Sequence, residues 1–163
     1  MDTADLIRRA TAAGITIATA ESCTGGMIAV ALTDIPGSSA VVDRGFVTYS
    51  NAAKMQMLGV RAETLDAVGA VSEEVAAEMA EGAVRNAGVT IAVSVTGIAG
   101  PGGSEYKPEG RVCFGLARDR QKTVTETVEF GAIGRGKVRT AARDRALELL
   151  AQAISQIERE TGS

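Results

Sequence analysis

The chain has no histidine among its 163 residues. That absence excludes, within one chain, a Ser-His-Asp triad, a Cys-His dyad and a histidine-liganded zinc. An activated serine here needs another base, and lysine is the obvious candidate. Tryptophan is also absent and aromatics make up only 3%, so the core must be mostly Ala, Val, Ile and Leu. Two cysteines, Cys23 and Cys113, offer neither a disulfide framework nor metal-ligand spacing. No stretch approaches the roughly 18 continuous apolar residues of a membrane span. Met1-Asp2-Thr3-Ala4-Asp5 is acidic where a secretion signal would be basic, so the expected compartment is cytoplasmic. Seventeen basic residues against twenty acidic ones give a net charge of −3. This balance argues against wholesale nucleic-acid binding, although a local basic patch could still hold a small anion.

With 45% hydrophobic residues, the chain suits one compact α/β domain over residues 1–163. An amphipathic helix opens at Asp5 and ends at Gly14. Ile15-Thr16-Ile17-Ala18 is β-branched and alternating enough for a strand, and Met27 to Leu32 fits a buried helix. A loop at 34–39 precedes a second strand over 41–49. Ser50 or Asn51 then caps a short helix that ends at Gly59, and Arg61 to Asp66 form another helical turn. Ser72 caps a clearer helix, with Glu73 and Glu74 in its first turn and Val75, Met79, Ala83 and Val84 as its apolar stripe. Val89 to Val95 reads as a central strand. Strands at 110–117 and 122–130 make an antiparallel hairpin, and a long helix runs from Arg135 toward Glu158. This order predicts a three-layer α/β/α sandwich with a mixed, mainly parallel sheet that includes one antiparallel hairpin.

Four groups of residues could carry chemistry. Thr19 to Gly26 places Ser22 between a strand and a helix, with glycines that let backbone N–H groups approach a ligand and a helix N-terminus behind them. Ser and Thr also cap helices with no ligand needed. Cys23 is an alternative nucleophile, or simply packing. Glu21 is disfavoured as a base, because successive side chains on an extended segment point apart. Tyr49 with Lys54 forms the second group. A cation near a helix N-terminus is disfavoured by the dipole, and burial would push the same way, so a neutral Lys54 could accept the Ser22 proton; an ordinary exposed helix lysine is the alternative. The third is the glycine-rich loop Thr96 to Gly103, at the end of the central strand, which would lie beside the Ser22 turn if the two strands are neighbours. The fourth is the basic cluster Arg135, Lys137, Arg139, Arg143 and Arg145. Cations at a helix start oppose the macrodipole and repel each other, costs that an anionic ligand would relieve, and Arg135 and Arg139 share one face. A solvated basic face remains the alternative.

Several motifs in one order resemble the C-terminal domain of the competence/damage-inducible protein CinA, the nicotinamide-nucleotide amidase family. They are Ala20-Glu21-Ser22-Cys23-Thr24-Gly25-Gly26, Gly45-Phe46-Val47-Thr48-Tyr49-Ser50-Asn51 with Lys54, Gly69-Ala70-Val71-Ser72, and Thr96-Gly97-Ile98-Ala99-Gly100-Pro101. Lys107-Pro108 and Gly110 follow at the family's distance, while Glu109 stands where a small apolar residue is expected. The resemblance spans essentially the whole chain and is to the family's stand-alone form. It implies hydrolysis of the carboxamide of nicotinamide mononucleotide to nicotinic acid mononucleotide and ammonia, with no metal or other cofactor. Ser22 falls on the nucleophile, and Lys54 and Tyr49 on its proton-transfer partners. Thr24, Gly25, Gly26, Gly97, Ile98, Ala99 and Gly100 would surround the substrate, a small pyridine nucleotide. Arg139, with Arg135, would meet its phosphate. The family also implies a homo-oligomer, and the charge balance and lack of a long apolar run predict no direct nucleic-acid or membrane partner. Two rivals compete with this reading. One is a non-catalytic nucleotide-binding or competence/DNA-damage interaction module. The other is a metal-dependent phosphatase or pyrophosphatase, for which Glu21, Asp43 and Glu105 make no convincing set.

Overall fold

A computed structural model describes residues 2–104 and 106–162 of the chain; Glu105 lies outside them. Five strands make one sheet in the order β2 (Val42–Val47), β1 (Ile17–Glu21), β3 (Ile91–Gly97), β4 (Arg111–Arg118), β5 (Val124–Glu129). β1 pairs in parallel with β2 and β3, whereas β3–β4 and β4–β5 are antiparallel. The sheet is therefore mixed, as expected, with only β4 reversed and the hairpin in place.

Helices cover both faces. On one face α1 (Thr3–Ala13), α2 (Met27–Thr33) and α6 (Arg135–Thr161) bury Leu6, Ile28, Leu32, Val138, Leu150 and Ile154 against Ile17, Ile91 and Val93. On the other, α3 (Asn51–Leu58) and α5 (Glu73–Ala87) close Leu58, Val75, Met79 and Ala83 over Ala18, Ala20 and Ala92. The short α4 (Ala62–Val68) adds Leu65 to that side. The alternation Ile17 to one core, Ala18 and Ala20 to the other, is the period-2 pleat.

The local stop signals act where the sequence puts them. Gly14, Gly59 and Gly88 end α1, α3 and α5 in the left-handed conformation, and the Ser50 and Ser72 hydroxyls accept from the third residue beyond them. These are local hydrogen bonds and steric rules. Several boundaries differ by up to three residues, and one of them bears on the site. The first strand does not stop at Ala18 but runs on through Glu21, buried at every position, so the chain turns at Ser22 rather than at Thr19. Thr19 and Glu21 look like turn residues in sequence; neighbouring strands on both sides hold them extended.

The order β2-β1-β3 places the chain's switch between β1 and β3, where parallel strands diverge and ligands commonly bind beyond their carboxyl ends. Glu21 aligns with Val95, so the Ser22 turn and the loop after β3 lie side by side.

Candidate active site

Glu21, the last residue of β1, and Ser22, directly after it, face opposite ways. Glu21 points to the α2 side, with relative exposure of 0%. Its carboxylate accepts from Thr24 Oγ1 at 2.6 Å and from the main-chain N–H groups of Gly26, Ile28 and Ala29 at 3.0–3.1 Å. Gly26, the N-cap of α2, has φ +108 and no side chain to cap with, so Glu21 supplies the cap from the preceding strand. A buried carboxylate with four donors and a helix dipole facing it is well stabilised. Removing it strands those donors, so Glu21→Ala is expected to destabilise the fold by about 3–5 kcal/mol. Urea unfolding checks this; unchanged stability would mean that the cap is dispensable.

Ser22 points to the other face, with its N–H fixed on Val95 O at 2.9 Å. There it meets Lys54, whose Nζ lies 3.0 Å from Ser22 Oγ, 3.1 Å from Thr48 O and 3.3 Å from Tyr49 O. Lys54 is only 2% exposed, on the N-terminal half of α3. The sequence reading of a helix lysine reaching a strand-end serine is thus realised in space, and the exposed-lysine alternative is not.

Tyr49 contributes its carbonyl to this pair, although the residue as a whole is 60% exposed. Its hydroxyl accepts from Arg135 Nη2 at 2.9 Å. Arg135 also donates from Nη1 to Gly100 O at 2.6 Å, and so bridges the loops after β2 and β3. A cavity of about 390 Å³ lies between those loops. Ser22, Cys23, Tyr49, Lys54, Gly97, Ile98, Ala99, Gly100 and Arg135 all line it.

The remaining expected site residues lie behind that wall. The Gly25 N–H donates to Ser22 O at 3.0 Å, the Gly26 N–H to Glu21, and Thr24 is fully buried. Arg139 shares the Arg135 face of α6, but it donates to the carbonyls of Cys23 at 3.0 Å and Thr24 at 3.4 Å. It braces the serine turn from outside the cavity. Of the other cluster members, Arg143 pairs with Asp144, and Arg145 with Glu126 and Glu148; Lys137 is solvent-exposed.

Asn51 also lines the cavity, together with Ala70, Val71 and Ser104. The sequence reading does not single out Asn51 as a site residue. Its signal is the spacing, since a residue three before Lys54 shares its helix face. Among the described residues no three His, Cys, Asp or Glu side chains gather to hold a metal ion, and no helix is long and apolar enough to cross a membrane.

Burial pushes the Cys23 thiol up to about 12, against a smaller opposing influence from its own backbone N–H. At neutral pH it is protonated, and a thiol is a poor nucleophile without its thiolate. Cys23→Ala is therefore expected to keep turnover within about threefold, and iodoacetamide should leave the native protein active. Rapid inactivation by alkylation at Cys23 alone would reverse this assignment.

Comparison with known proteins places the chain. The CinA C-terminal domain model matches residues 2–154. A CinA-like protein of Chlorobium phaeobacteroides (strain BS1) is 63% identical over 120 residues, covering 72% of this chain and 29% of that protein. One from Chloroherpeton thalassium (strain ATCC 35110 / GB-78) is 54% identical over 144 residues, or 84% and 34%. The chain thus spans about a third of the length of these two relatives. The nicotinamide-nucleotide amidohydrolase PncC of Escherichia coli (strain K12) is 54% identical over 146 residues, which make up 89% of this chain and 88% of that protein. Among solved structures, the competence/damage inducible protein CihA from Agrobacterium tumefaciens is 49% identical, with a TM-score of 0.87 over 95% of this chain and 96% of that one. With a family model matched across nearly its whole length and a shared fold at this identity, the chain belongs to the CinA C-terminal domain family.

Proposed function

We propose that this chain acts as a single amidase domain that hydrolyses the carboxamide of nicotinamide mononucleotide to nicotinic acid mononucleotide and ammonia. The observation that carries this reading is the buried Lys54 Nζ, 3.0 Å from Ser22 Oγ at the wall of a cavity. Its similarity to the E. coli amidohydrolase over most of both chains supports the same reaction class.

In the reactive form Lys54 is neutral, and the Ser22 O–H donates to its amine. The Thr48 and Tyr49 carbonyls hold Nζ in line while Ser22 Oγ attacks the carboxamide carbon. The electron pair of the C=O bond moves onto oxygen, and main-chain N–H groups at the cavity wall stabilise the resulting oxyanion. The Gly25 and Gly26 N–H groups are already committed to protein acceptors. The donor for this step is the N–H of Cys23, directly after the nucleophile. The C–N bond then breaks, and the amine leaves as ammonia after taking the proton held by Lys54, directly or through Tyr49 at the rim, which returns the lysine to its neutral form. Water, deprotonated by the same lysine, cleaves the acyl ester and releases the carboxylate. The pyridinium charge withdraws electrons from the carboxamide and makes it more electrophilic. Arg135, the cation in the cavity wall, meets the phosphate, while Arg139 keeps the serine turn in place.

Ammonia release from nicotinamide mononucleotide in excess EDTA tests this reading. Stoichiometric ammonia and nicotinic acid mononucleotide are the expected products. No release from pure, folded protein would sink the amidase and leave a nucleotide-binding module.

A further inference from the structure

The loop after β3 turns sharply at Gly100 to Gly102, with φ +90 and +81 at its two glycines. Gly100 has no room for a side chain: a Cβ there would stand 2.6 Å from the Glu109 carboxyl carbon. Glu109 therefore lies flat against the Gly100 α-carbon. Its Oε1 also accepts from the Gly102 N–H at 2.6 Å. The backbone beside Glu109 is itself fixed, since the Gly110 N–H donates to Ile98 O at 2.8 Å and the Ile98 N–H to Arg111 O at 2.9 Å. A carboxylate delivered from the base of the β4 strand thus grips the turn at an N–H, while Arg135 grips the same turn at the Gly100 carbonyl.

These two grips differ in permanence. Arg135 is exposed and lines the cavity, so an arriving phosphate competes for its guanidinium. Glu109 does not line the cavity and has no such competitor. Once Arg135 turns to a ligand, Glu109 is what holds the Gly100–Gly102 turn in the cavity wall.

We infer that Glu109 is a positioning residue for nucleotide binding, acting through the Gly100–Gly102 turn and governing affinity rather than the attack on the carboxamide. This rests on the amidase reading above.

The test compares the intact protein with Glu109→Ala and Glu109→Gln. It measures ammonia release across nicotinamide mononucleotide concentrations and hydrogen exchange at the Gly102 amide. Glu109→Ala is expected to raise KM about tenfold with kcat within about twofold, the pattern of lost binding that is equal in ground and transition states. Its Gly102 amide should exchange at least about tenfold faster. Glu109→Gln keeps an acceptor oxygen and should restore both quantities to within about threefold of native. An unchanged KM in the alanine variant overturns the inference, as does a kcat loss as large as the loss in kcat/KM. If the native protein releases no ammonia, the amidase reading fails on its own. Calorimetric binding of nicotinamide mononucleotide then decides: weaker binding with faster Gly102 exchange supports the positioning role, and any other result refutes it.

Discussion

Ser22→Ala should lower ammonia release from nicotinamide mononucleotide by at least about 10⁴-fold, as removal of a covalent nucleophile does elsewhere. The hydroxyl is small and sits at a cavity wall, so the fold has little to lose. Ser22 is held chiefly by its main-chain N–H on Val95 O, which alanine keeps. The variant should therefore unfold at the native urea midpoint and still bind the nucleotide. Rapid quenching of the native protein with nicotinamide mononucleotide should trap a nicotinoyl ester on Ser22, and the alanine variant should show none. Undiminished turnover in folded Ser22→Ala would mean that a directly activated water attacks the amide, since the Cys23 thiol is protonated at neutral pH.

Lys54→Met is expected to cost about 10³-fold in kcat, within the usual range for losing a positioned general base. Methionine fills most of the same buried volume. The change leaves the Thr48 and Tyr49 carbonyls without the lysine donor, at about 1–3 kcal/mol, which a denaturant titration reads separately from activity. Lys54→Arg sharpens the test, because an arginine keeps the positive charge but does not give up its proton in proteins. Both variants should be inactive if Lys54 accepts the serine proton. An active arginine variant would show that only the cation is needed. The Ser22→Ala/Lys54→Met double variant should be no slower than Ser22→Ala alone, since residues that act as a unit lose their effect together.

Much of this is legible in the chain. Glycine and serine stops mark the helix ends because capping is local. The missing histidine leaves lysine as the obvious candidate base for an activated serine, and the three-layer order follows from the alternation of patterns. What cannot be read there is decided by packing between elements. The extension of β1 through Glu21 depends on strands on both sides and on the N-terminus of α2, a helix without a capping side chain of its own. Arg135 and Arg139 are equivalent by spacing, and the resemblance assigns the phosphate to Arg139 together with Arg135. The position of α6 over the sheet brings Arg135 into the cavity wall and Arg139 onto the carbonyls behind it. The resemblance puts Tyr49 beside the lysine through its phenol. Its carbonyl is what meets Nζ, because the chain leaves β2 with the ring directed at the rim.

The division of Glu21 and Ser22 between opposite faces of β1 bears on how this segment can change through evolution. Either residue can be substituted, with a graded loss. A one-residue deletion or insertion within Ile17–Glu21 is different in kind, because it shifts the pleat's phase and exchanges the two faces. The carboxylate would then enter the cavity beside Lys54, and the serine would lie beneath α2, so that one event would destroy both the helix anchor and the Ser22–Lys54 pair. Descendants of this chain can therefore vary β1 in letters but not in frame, and length changes are confined to regions such as the β4–β5 turn at the opposite end of the sheet.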